Sequence, residues 1–178
     1  MQQLEAPSFE ALISQCQSSA VHLEMRDVYG IANEAERIGR WREGHRLDPA
    51  DRASWWLPWH DLIAGTVARG VTIRRARIVS EPLSEYIRYE HSGTFKNVVS
   101  GEVVRWLPRN HASDLLLPGN DFWVFDDHTV RFGLFAGDGT HVGYQMNHDE
   151  SVIRACVESF EAVWSRAIPH EDYKFDGC

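Results

Sequence analysis

Cysteine is scarce in this chain, with Cys16, Cys156 and Cys178 the only three among 178 residues. They lie far apart, share no CxxC spacing and are odd in number, which argues against both a disulfide framework and a cysteine-built zinc site. Lysine is scarcer still, two against sixteen arginines, a bias that suggests a GC-rich bacterial genome. No stretch approaches the roughly 18 consecutive apolar residues of a membrane span. The first residues, MQQLEAPSFEALISQC, lack a basic start followed by a long apolar core, so the expectation is a cytoplasmic protein with no membrane partner. Phosphate-cradling motifs are missing as well: there is no GxxxxGK[ST] and no GxGxxG, since Gly137-Asp138-Gly139 falls between strands.

What is present is ordinary globular material, 43% hydrophobic and 11% aromatic, long enough for one domain with a sizeable core. We read a single domain with a helix-and-strand N-terminal part over 1–58, a core over 59–168 and a polar, frayed tail over 169–178. The formal net charge of -8 argues against a free-standing duplex-DNA binder, because phosphate binding needs clustered Lys and Arg. The positive charge is unevenly placed, however. From Arg69 to Arg109 eight bases face four acids, a local +4, against ten bases and twenty-two acids elsewhere. Such a basic middle suits a phosphate, another small anion or an acidic partner; a solvated strand edge and helix face is the plainer alternative.

Along the chain, Phe9, Leu12, Ile13 and Cys16 recur at helical spacing behind Ser8, a good N-cap, and predict a first helix. Val21, Leu23 and Met25 alternate with His22, Glu24 and Arg26, predicting a strand with one wet face that ends near Tyr29-Gly30. A short helix is expected with Asn33 as cap, Glu36 three positions on, and Ile38 and Trp41 on one side. After the polar loop EGHRLDPADR, Pro58 opens a helix that Gly70 stops. Trp55, Trp56 and Trp59 are read as core in preference to a stacking platform. Residues 71–107 read strand, helix, strand, with one helix from Pro82 to near Gly101, most simply a right-handed crossover between parallel strands. Arg75 and Arg77 share a face of the first strand, and Arg74 takes the other. GNDFWVFDDHTVRFGLF (119–135) is a hairpin, residues 140–146 add a third antiparallel strand, and a helix follows with Asp149 as cap.

Candidate chemistry is sparse. His111, Ser113 and Asp114 lie in one loop, but neighbours two and three apart seldom adopt triad geometry and there is no GxSxG elbow, so a surface loop is favoured. Asp121, Asp126, Asp127, His128, His141 and His148 concentrate metal-ligating types without any standard spacing, and Asp126-Asp127-His128 is well explained as a turn. Nothing selects a carboxylate pair for glycoside hydrolysis. We therefore expect neither metal nor cofactor.

The segments ARGVTIRRARIVSEPLSEYIRYE (68–90), N-x-x-x-G-E-x-V-R-x-L-P-R (97–109) and DFWVFDDHTV (121–130) resemble a family of small bacterial proteins of unknown function, often encoded beside helix-turn-helix regulators. More distantly, the order of strand, helix, strand, meander and a final helix ending FEAVWSRAIP resembles one half of a phospholipase D-like domain. The HxKxxxxD motif of that fold's hydrolases is missing, since no His has Lys two positions on. These resemblances imply a mixed α/β sheet with a βαβ unit, an antiparallel meander and a C-terminal helix. They also imply a surviving anion cleft, for which Arg75, Arg77, Arg109, His111, Asp121 and His128 are the candidates. The expected function is non-enzymatic: binding a helix-turn-helix regulator or sensing a small anionic ligand, without direct nucleic-acid contact and with homodimerisation open. A divergent phosphodiesterase using His111 or His128 with Arg109 is the alternative.

Overall fold

Ser8 caps the first helix, α1 (Phe9–Gln15), its hydroxyl accepting from Ala11 N at 3.1 Å. The structure is a computed structural model and describes residues 7–30 and 34–175. β1 (Ser19–Glu24) follows and ends sooner than its alternation suggests. The reason lies in the backbone beyond it, which is taken by side chains instead of a neighbouring strand. Met25 N donates to Asp121, Arg26 N to the Tyr29 hydroxyl, and Met25 O accepts from Arg109.

α2 (Ala35–Arg42) carries Ile38 and Trp41 as expected; its proposed cap, Asn33, lies outside the described residues. After α3 (Arg52–Trp55), α4 (Pro58–Ala68) has Pro58 in its first turn, and Gly70 follows it at φ +93°, a conformation that a side chain disfavours. Trp55 is buried and Trp59 packs on Phe9 at 4.7 Å, so these tryptophans belong to the interior.

β2 (Thr72–Val79) and β3 (Val103–Pro108) are parallel neighbours. Their crossover holds two helices in place of one, α5 (Glu85–Gly93) and α6 (Phe95–Ser100). The break falls at Thr94, whose hydroxyl donates to Glu90 O and accepts from Arg77. A 3-10 turn (Arg109–Ala112) leads on to β4 (Phe122–Phe125), β5 (Thr129–Phe135) and β6 (His141–Asn147), then α7 (Glu150–Arg166) and the short β7 (Ile168–Pro169). Asp149 caps α7 by accepting from Ser151 N and Val152 N.

The seven strands form one mixed sheet in the order β6-β5-β4-β1-β2-β3-β7. β1, β2 and β3 are mutually parallel and the remaining pairs antiparallel, which is the βαβ unit plus meander expected. α7 seals one face, setting Ile153, Cys156, Phe160 and Val163 against Leu23, Ile78, Phe122 and Val130; burying one such Phe or Leu is worth about 1.5–3 kcal/mol. The other face is divided. Ile13 and Ile63 cover its start at Ala20, Ile73 and Phe125, while Leu83, Tyr86, Ile87 and Tyr173 pack with Val79 and Trp106 near its far end. Tyr173 stacks on Trp106 with centroids 5.6 Å apart and planes 7° apart, and its hydroxyl donates to Glu81. The stretch from Ile168 to Tyr173 is thus packed, not frayed.

Candidate functional site

The face of β1 expected to be wet is buried and charged. Register places His22 opposite Arg75 on β2 and Trp123 on β4, and Glu24 opposite Arg77. Arg75 donates to Glu24, and through Nε to Glu102 at 2.8 Å. Arg77 donates to Glu24 and, at 2.8 Å, to Thr94, and pairs with Glu90 at 2.7 Å. Burial works against charge on Glu24, but Arg77 and Arg75 outweigh it and hold that carboxyl well below its usual range. Glu90 goes the other way, raised by burial and by Glu24, with Arg77 opposing. A buried ion without a counter-ion is costly, and here each guanidinium has two carboxylates. Arg75 and Arg77 are therefore spent on one another's acids, and these two charges of the basic middle are answered inside the fold.

Arg109 sits elsewhere, at the carboxyl ends of β1 and β2. Its Nε donates to Ser80 Oγ at 2.8 Å, and its Nη2 to Met25 O at 2.7 Å and Asp27 Oδ2 at 3.1 Å. Ser80 in turn donates to Asp27, from its hydroxyl at 2.6 Å and its N–H at 2.7 Å. Beside them opens a cleft of about 390 Å³, lined by residues 25–28, Arg109 and the 137–139 turn. Gly30 N bonds Gly139 O at 3.0 Å, and a Cβ on Gly30 would come within 3.1 Å of that oxygen, so a side chain would crowd the point where these two loops close the wall. The chain order reverses at β1, and the carboxyl end of such a strand is where open α/β sheets bind ligands.

Two charged residues bear on this cleft, Arg26 in its lining and Asp121 bonded to Met25. Arg26 makes no ion pair and no side-chain hydrogen bond among the described residues, its Nε is buried without a partner, and its guanidinium lies 4.8 Å over Phe135. Asp121 is 4% exposed and accepts from Met25 N at 2.9 Å and from the Tyr29 hydroxyl. Burial pushes its carboxyl up to about 6, with the Tyr29 bond opposing. Such a group changes charge near neutrality.

The six candidates thus divide into groups. Arg109 and Asp121 meet around Met25, and Arg75 and Arg77 share the buried ion cluster. His111 is exposed, its carbonyl accepting from Arg166 at 2.9 Å. His128 borders a larger depression of about 480 Å³ with Asp127, His148 and Arg154. Neither His lines the cleft at Arg109. The larger depression is less suited to a ligand: among the described residues no three His, Cys, Asp or Glu side chains are grouped to hold a metal ion, and its charges are exposed. Ser113 donates to Asn110 O and Asp114 pairs with Arg166, so the RNHASD loop forms no triad. Sequence reasoning missed Arg26, Asp27 and Ser80. Arg26 shares parity with His22 and Glu24, which was the one visible signal. Beside the cleft Ser80 is tied between Arg109 and Asp27, and the arrangement offers charge to hold an anion.

A family described as a domain of unknown function (DUF6879) matches residues 7–175. No curated protein matches. Among solved structures, the chain is similar to a phospholipase D family member, Nuc from Salmonella typhimurium, at TM-score 0.47 and 9% identity over 90% of this chain and 86% of that one. It is also similar to TrmBL2, an archaeal chromatin protein, at TM-score 0.45 and 14% identity over 89% of this chain and 47% of that one.

Proposed function

We propose that this chain, which belongs to the DUF6879 family, is a non-enzymatic regulatory protein that holds a small anionic ligand in the cleft at the carboxyl ends of β1 and β2. The observation that carries the reading is Arg26, a guanidinium with a buried, unpartnered Nε at the rim of a cleft that Arg109 also lines. A guanidinium beside a second one is suited to phosphate or carboxylate. The Asp27 and Ser80 contacts fix Arg109 in place, leaving Arg26 to make the new bonds. A helix-turn-helix regulator is the partner to which we expect occupancy to be relayed.

Inorganic phosphate is the first probe. Binding to the folded state alone raises its stability, by about 2.7 kcal/mol at a hundredfold excess over Kd. Tm is expected to rise saturably with phosphate in the wild type, and the rise to disappear in Arg26→Gln while Arg154→Gln keeps it. No rise in the wild type, or an equal rise in Arg26→Gln, would sink the assignment. Co-purification of a helix-turn-helix regulator with and without phosphate tests the relay.

A second reading, a divergent phosphodiesterase, is favoured by Asp121, a carboxyl near 6 in a range suited to general acid catalysis. It requires turnover of a generic phosphodiester that Asp121→Asn abolishes; an inert wild type removes it.

A further inference from the structure

The cleft at the carboxyl ends of β1 and β2 is lined by charges of both signs, Arg26 and Arg109 against Asp27 and Asp138. Two of the four answer each other. Arg109 pairs with Asp27 at 3.1 Å, and the Asp27 carboxylate also accepts from the N–H and hydroxyl of Ser80. The other two stay open. Arg26 has no ion pair among the described residues, and its buried Nε has no acceptor. Asp138 is exposed in the turn between β5 and β6, where it accepts from Thr140 N at 2.9 Å. The Thr140 bonds hold its carboxyl below the usual range, so it is ionised, and no cation pairs with it among the described residues.

These two open charges stand on loops that meet. Residues 26–30 and the turn 136–140 are joined where Gly30 N donates to Gly139 O at 3.0 Å, and a Cβ on Gly139 would lie 3.7 Å from Val28 O. Arg26 and Asp138 both line the one cleft of about 390 Å³, a size found among small-molecule sites. Met25 and Val28 line it too, and Val28 is 53% exposed. A bare inorganic anion suits only part of this wall. It would meet Arg26, but it would also face Asp138 and leave the apolar side chains wet. Four lining charges that sum to zero complement a ligand with charges of both signs better than an anion alone.

Resting on the reading of this cleft as an anion site, we propose that its ligand is a small oxyanion that also carries an amine, the chemistry of an amino acid. Its carboxylate or phosphate accepts from Arg26, its ammonium donates to Asp138, and its carbon skeleton covers Met25 and Val28.

Calorimetric titration of the full chain compares each of three amines with the same molecule lacking the amine: glycine with acetate, γ-aminobutyrate with butyrate, and phosphoethanolamine with ethyl phosphate. The series varies both the oxyanion and its distance from the ammonium. In at least one pair the amine is expected to bind saturably and at least about tenfold tighter than its counterpart, the effect of one charged hydrogen bond. That margin should vanish in Asp138→Asn, whose amide keeps an acceptor for Thr140 N, while Arg26→Gln weakens both members. Equal binding within every pair overturns the amine assignment and leaves the anion cleft standing. A margin undiminished in Asp138→Asn overturns it as well. Should none of the six bind while inorganic phosphate still raises Tm, this proposal alone falls; silence from phosphate too removes the anion cleft with it.

Discussion

At the scale of single residues, Asp126 is the most connected acid of the hairpin turn. Its carboxylate accepts from Gln17 N at 2.7 Å, Ser18 N at 2.7 Å, Ser19 N at 2.9 Å and the Ser18 hydroxyl at 2.8 Å. Partial burial would raise it, yet the N–H donors of Ser19, Gln17 and Ser18 hold it well below the usual carboxylate range. A depressed carboxylate gives stability that is full above the unfolded value of about 4 and is lost as pH falls below it. Asp126→Ala is expected to cost roughly 2–3 kcal/mol at pH 7 by urea unfolding, the gap from wild type narrowing as pH drops from 4 toward 2. Asp121 should behave oppositely, with a carbon-13 carboxyl shift that titrates near 6 and not near 4. The turn-forming role of Asp126 was legible in Asp-Asp-His. Its donors, more than a hundred positions away, were not, because local pattern carries no information about which loop a carboxylate will meet.

At the scale of elements, the alternation in β1 was legible and its meaning was not. A polar face reads the same in sequence whether it meets water or ions, and the ions here come from β2, α5 and Glu102 just before β3. Glu24 is the carboxylate that Arg75 and Arg77 share, and its removal leaves each buried guanidinium with one acid in place of two, so Glu24→Ala should cost up to about 3–5 kcal/mol. Arg74→Ala, which breaks the more exposed pair with Glu161 at 2.6 Å, should cost under about 1 kcal/mol. Urea midpoints of the two variants side by side check the contrast. The three-residue turn between β4 and β5 has Asp126 and Asp127 both at positive φ, 50° and 55°, a conformation that glycine adopts more readily. Asp127 is exposed and its carboxylate has no ion pair among the described residues, so Asp127→Gly is expected to stabilise by about 0.5–1 kcal/mol, read as a higher thermal midpoint. The crossover was legible as helix but not as two, since the Thr94 break depends on Arg77 reaching it from the sheet.

At the scale of the whole molecule, charge that looked available is committed. Arg74, Arg75, Arg77 and Arg109 all have acidic partners, so the protein should pass through a heparin column at about 0.1 M salt, where exposed basic clusters are retained. Histidines add a pH dependence. Burial lowers His22, with Arg75 and Arg77 reinforcing it, and lowers His91 to about 4. A base depressed in the fold gives stability that is full above its unfolded value of about 6.5 and is lost as pH falls toward the folded one. The urea midpoint should therefore drop between pH 7 and 5, and His91→Gln should flatten part of that drop. The order of strands has one more effect, on the chain as it is made. Ala20 pairs with Ile73 on one side and Phe125 on the other, so during synthesis β1 acquires β2 well before β4 exists. Until then its free side is an open sheet edge, the kind that recruits other chains. Glu24, Arg75 and Arg77 stand beside that edge. Inward charges of this sort discourage pairing with strangers, so the ion cluster that costs so much to bury also guards the unfinished sheet until the hairpin emerges to complete it.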